Sequence, residues 1–105
     1  MTSRDNELCI ASYTGLWFLD IVTLELSKEK YLEGNFVNKI LEIQKEVFVV
    51  SVWDTNSFYF IDRKDGSVKT IKHPCGDFRC WGIIKLSTSL LLARDNFGLT
   101  LLNLA

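Results

Sequence analysis

The chain has 105 residues, 48% of them apolar and 24% charged, with 12 basic residues against 13 acidic ones. That length carries one domain with a modest core, and the apolar and aromatic content excludes a disordered chain. Neither sign of charge forms a block, so neither nucleic acid nor a membrane is an expected partner.

The opening stretch, MTSRDNELC, has no apolar signal core, and no apolar run reaches the length of a membrane span. The cysteines number three, an odd count that points to free thiols in a reducing compartment; a cytoplasmic protein is expected.

The first apolar runs are LCIASY (8–13) and GLWFLDI (15–21), parted by Thr14-Gly15, a hairpin signal. ELSKEKYL (25–32) follows, with the lysines that keep an outer strand from pairing further. FVNKILEIQKEVF puts Phe36, Ile40, Ile43 and Val47 on one helix face, but it has no clear C-cap and the repeat described below favours a strand. VFVVSVW (47–53) and SFYFID (57–62) are rich in β-branched and aromatic residues and flank a turn at Asp54-Thr55-Asn56. SVKTIKH (67–73) is a second lysine-bearing outer strand. HPCGDFRCW (73–81) then turns the chain toward LLLA (90–93) and GLTLLNL (98–104), the last pair being joined at Asp95-Asn96-Phe97-Gly98.

These runs match one another. Residues 7–12, 46–51 and 89–94 align as one element, and 15–20, 57–62 and 98–103 as the next, the latter 42 and then 41 residues apart. NKILEIQKE (38–46) also matches WGIIKLSTS (81–89). A repeat of about 40–45 residues holding four strands has the spacing of a β-propeller blade, an antiparallel meander a to d running outward from a central channel. A barrel or sandwich with accidental self-similarity is the alternative.

ASYTGLWFLD (11–20) and ARDNFGLTLLN (93–103) resemble the strand b, turn and strand c of a WD repeat, and FYFIDRKDG (58–66) resembles strand c with its following turn. At the positions of the family's Trp-Asp pair stand Leu19-Asp20, Ile61-Asp62 and Leu102-Asn103, and no Gly-His dipeptide occurs in the d–a connections. The resemblance implies an all-β fold of antiparallel four-stranded meander blades and a rigid scaffold for protein–protein binding without catalysis. On this frame residues 1–105 form a single partial β-propeller domain. Residues 7–32 supply strands b to d, 36–73 a full blade a to d, and 79–104 strands a to c, ten strands or about two and a half blades. The expected partner is a protein, or further copies of the chain, completing the propeller; a segment of a larger propeller is the first expectation.

His73, Cys75 and Cys80 have the spacing H-x-C-x4-C, which offers three ligands in one segment where structural zinc takes four, and which is not a C-x-x-C redox pair. A Cys75–Cys80 disulfide requires an oxidising compartment. The connector reading is preferred, with Cys80 as a small apolar start of strand a. Asp20 and Asp62 read as turn caps. No catalytic residue, metal or cofactor is expected. What remains is the face shared by the b–c and d–a connections, where Trp53, Asp54, Phe78, Arg79, Arg94, Asp95 and Phe97 gather as partner-binding candidates, with Tyr13, Asn35, Asn56, Asp77 and Asn96 beside them. Aromatic and arginine side chains dominate protein-binding hot spots. The alternative is part of a propeller-fold hydrolase or lactonase with a channel metal, for which Asn38, Glu42 and Lys85 are the inward-facing candidates.

Overall fold

The computed structural model describes residues 6–53 and 55–104. These described residues form nine strands: β1 (Glu7–Ser12), β2 (Gly15–Asp20), β3 (Val37–Gln44), β4 (Val47–Val52), β5 (Ser57–Asp62), β6 (Ser67–Lys72), β7 (Cys80–Lys85), β8 (Leu90–Asp95) and β9 (Gly98–Asn103). The described residues contain no helix, and so none long and apolar enough to cross a membrane. The segment holding Phe36, Ile40, Ile43 and Val47 thus forms strand β3 and the turn into β4, the strand that the repeat favours over a helix.

Each strand pairs antiparallel with the next, giving sheets of two, four and three strands: β1-β2, β3-β4-β5-β6 and β7-β8-β9. The four-stranded sheet is the middle layer. All six residues of β4 are buried, with Val47 and Val49 facing the third sheet while Phe48, Val50 and Val52 face the first. Two buried faces remove the apolar–polar alternation of a half-solvated strand, which is why VFVVSV reads as an unbroken apolar run. Leu16 and Phe18 of β2 meet Phe48, Val50 and Ile61 in one core, and Phe58 and Val49 meet Leu91, Ala93 and Leu102 in the other.

The sheets approach one another most closely at their first strands, β3 with β7 and β1 with β3. Side chains tie this inner edge. Asn38 Nδ2 donates to the Cys80 carbonyl at 2.6 Å while its Oδ1 accepts from Ser51 Oγ at 2.7 Å, and Lys85 Nζ donates to the Ile43 carbonyl at 2.6 Å. Among the described residues β1 is the inner edge of the first sheet, and beside it a cleft of about 370 Å³ opens among Cys9, Ala11, Asn38, Ile40, Glu42 and Phe48. Among the described residues β9 is the outer edge of the third sheet, and a second cleft of about 220 Å³ lies among Phe60, Lys69, Ile71 and Leu104.

Residues 25–32, expected as a regular outer strand, do not form one. Ser27 N–H donates to the Phe18 carbonyl at 2.8 Å and Leu16 N–H to that of Tyr31 at 2.9 Å, but the pairing is limited to isolated bridges, Leu19 with Leu26 and Leu16 with Tyr31. The cause is local. Leu24 and Leu32 take left-handed φ values of 61° and 55°, and Ser27 Oγ accepts the Glu29 N–H at 3.1 Å, bending the chain between them. The three strand-b elements also differ by one residue from their sequence match. β4 begins at Val47 and β8 at Leu90, so β1 (Glu7–Ser12) corresponds to 47–52 and 90–95.

At the end away from the 73–79 connector, Arg63 joins the first two sheets. Its side chain is fully enclosed, donates to Glu7 Oε1 at 2.8 Å and to both oxygens of Glu29, and lies 3.6 Å from the centre of the Phe18 ring. Burial works against its charge, but the hydrogen bonds and charges of Glu29 and Glu7 outweigh that and raise its pKa.

Gly15 turns β1 into β2 at φ 135°, and a Cβ there would sit 2.8 Å from the Tyr31 carbonyl oxygen. Gly15→Ala is therefore expected to destabilise the fold by about 1–3 kcal/mol, read as a lowered urea midpoint; an unchanged midpoint would contradict the close approach.

Candidate interaction face

The turns β1–β2, β4–β5 and β8–β9 come together with the segments that enter β3 and β7, because backbone hydrogen bonds join them. Gly34 N–H donates to the Thr14 carbonyl at 2.9 Å, Trp53 N–H to that of Phe36 at 2.9 Å, and Phe78 N–H to that of Thr55 at 2.8 Å. Arg79 N–H donates to Asn96 Oδ1 at 2.7 Å.

An aromatic row runs along this end. Tyr13, 77% exposed, lies 4.3 Å from Phe36 between ring centres, Phe36 lies 6.1 Å from Trp53, and the Arg79 guanidinium is 5.6 Å from the centre of the Trp53 ring. The row crosses all three sheets: Tyr13 comes from the first, Phe36 and Trp53 flank strands of the second, and Arg79 leads into the third. Rings tilted against one another and a guanidinium over the last of them restrict each other's rotamers, which lowers the entropy lost when a partner docks.

The sequence candidates divide on this geometry. Trp53 is half-buried within the row, Arg79 is exposed, and Phe97 is half-exposed and packs on His73 rather than on the row. Arg94 is exposed but lies over Trp81, at 6.0 Å, on the outward face of the third sheet rather than in the row. Phe78 and Asp95 are corrected: at 1% and 3% exposure both are interior residues and present no side chain to a partner. Asp54 lies outside the described residues. Phe36 belongs to the row, although in the sequence it reads only as the first apolar residue of a strand.

Phe78 and Asp95 are buried for a shared reason, which is His73. The ring of His73 stacks on Phe78 at 4.6 Å between centres, with Phe97 at 5.3 Å and Phe58 at 6.2 Å. Its Nδ1 accepts the Cys75 N–H at 3.0 Å, which places the ring proton on Nε2. Nε2 faces Asp95 Oδ2 at 2.7 Å and Thr100 Oγ1 at 3.1 Å. Thr100 Oγ1 also donates to Asp95 Oδ2 at 2.9 Å, and Asp95 Oδ1 accepts the Phe97 N–H at 2.9 Å. This network clamps the 73–79 connector onto the β8–β9 turn. Its one sequence signal is a lone histidine at the end of an outer strand; the partners stand 22 and 27 residues away.

With both ring nitrogens engaged, His73 has no lone pair aimed at open space. Among the described residues no three of His, Cys, Asp and Glu converge as a metal-ligand set. The cysteines are free thiols: Cys75 exposed, Cys9 half-buried and Cys80 buried. Burial pushes the Cys9 thiol up to about 12 against the nearby Arg63 charge, and burial raises that of Cys80 as well. One thiol, Cys75, is expected to react rapidly with Ellman's reagent at neutral pH. Cys75→Ser should abolish that fast phase, and a fast phase surviving the substitution would contradict the placement.

Asn38, Glu42 and Lys85, the channel candidates, are engaged in ties: Asn38 and Lys85 hold β3 to β7, and Glu42 Oε2 accepts the Glu46 N–H at 3.3 Å. Searches with the chain against protein-family models, curated proteins and solved structures gave no match.

Proposed function

We propose that this chain is a noncatalytic protein-binding scaffold of the WD-repeat-like β-propeller type, which docks its partner on the aromatic row at the loop end. The observation that carries the reading is the row itself: Tyr13, Phe36, Trp53 and Arg79, held in register by three sheets. A middle sheet covered on both faces, and sheets that draw closest at their first strands, favour blades around an axis over a sandwich or barrel. The proposed setting is the cytoplasm, where Cys75 stays a thiol.

The test is capture of partners by the tagged chain with cross-linking and mass spectrometry, comparing wild type with Trp53→Ala, Arg79→Ala and Phe97→Ala. Each substitution is expected to reduce the captured set at least tenfold while the circular dichroism stays that of wild type, a loss of about 1.4 kcal/mol or more. Undiminished capture by Trp53→Ala would overturn the reading.

A further inference from the structure

Among the described residues, two sheet faces are apolar and have no other sheet packed on them. On the outward face of the third sheet, Leu99, Leu101 and Ile84 are 72%, 61% and 55% exposed. On the outward face of the first sheet Leu8 is 48% exposed and Leu26, bridged to Leu19, is 59% exposed.

The repeat identifies what each face fits. Strands β4 and β8 correspond residue by residue, as do β5 and β9 and the starts of β3 and β7. Leu99, Leu101 and Ile84 are thus the counterparts of Phe58, Phe60 and Leu41, which in the middle sheet are covered by the third. The surface that does the covering there is made by Leu91, Ala93 and Leu102. Its counterparts in the middle sheet, Phe48, Val50 and Ile61, cover the first sheet in the same way. Its counterparts in the first sheet are Leu8, Ile10 and Leu19, against which no other sheet of the described residues packs. The two uncovered faces are therefore the two halves of an interface that the chain makes twice within itself.

We infer that each uncovered face is occupied by a second copy of this chain, docked head to tail with its first sheet on the third sheet of its neighbour. The assignment rests on the propeller reading. Each copy brings three sheets, and two copies joined through both pairs of faces close a two-fold ring of six, within the range that propellers close. The contact repeats a packing already formed inside the chain, so it needs no new shape. A pairing of like faces would set two covering surfaces, or two covered ones, against each other and satisfy neither.

Sedimentation velocity and light scattering test this with the wild type and two variants, Leu99→Lys with Leu101→Lys on one face and Leu8→Glu with Leu26→Glu on the other. The wild type is expected at twice the chain mass of 12.1 kDa. Each variant alone is expected as a monomer with unchanged circular dichroism, and an equal mixture of the two is expected to regain the dimer through its one intact pair of faces. Should either double variant misfold, Leu99→Lys or Leu26→Glu alone replaces it. A monomeric wild type, or a variant that still dimerises alone, overturns the assignment. The scaffold reading fails separately, on the Trp53 capture experiment.

Discussion

Replacing His73 by alanine is expected to cost about 3–5 kcal/mol of folding stability, among the largest losses for a single side chain here. The substitution leaves the Asp95 carboxylate in the interior, where Thr100 and the Phe97 amide alone face it. It also opens a cavity between Phe58, Phe78 and Phe97. Asp95→Ala should cost about 3 kcal/mol, because the His73 and Thr100 donors lose their shared acceptor. Thr100→Val should cost about 1 kcal/mol, since His73 and Asp95 still pair. Because one network holds all three, the double variant of His73 and Asp95 should lose less than the sum of its singles. Urea unfolding of the four variants measures the order. A His73→Ala midpoint equal to wild type would place the histidine at the surface.

Arg63→Ala is expected to cost a similar amount, about 3–5 kcal/mol. The guanidinium is enclosed, shared between two carboxylates from different parts of the chain, and stacked on Phe18. Removing it takes away the cation that joins the start of β1, the 25–32 segment and the turn after β5. Arg63→Lys should recover only part of the loss, because an ammonium has neither the fork for Glu29 nor the plane for Phe18. The guanidinium is enclosed while Glu7 and Glu29 are part-exposed, so added salt should reduce the Arg63→Ala difference only in part. A loss below about 1 kcal/mol would mean that the ion pair is solvated.

The strand content was legible because the signal is dense and local. VFVVSV, SFYFID and GLTLLN are β-branched or aromatic runs between turn formers, and all three form strands. The 25–32 segment misled because its composition is that of an outer strand while its ends are left-handed, at Leu24 and Leu32, residues with no propensity for that conformation. The interaction face was half legible for a geometric reason. Neighbours in an extended segment point to opposite sides, so Arg79 faces out where Phe78 faces in, and Asn96 out where Asp95 faces in. A sequence places such pairs on the same loop and says nothing of the side each takes. The same limit hid the His73 network, whose members meet only once the connector folds onto the β8–β9 turn.

The most direct test of the stacked-sheet account is amide hydrogen exchange resolved by residue. β4 is paired on both edges and covered on both faces, so its amides should be the slowest, opening only with global unfolding. The 25–32 segment, with its isolated bridges, should exchange fastest among the sheet residues. Protection in β2 or β6 equal to that in β4 would contradict a chain built around one buried middle sheet.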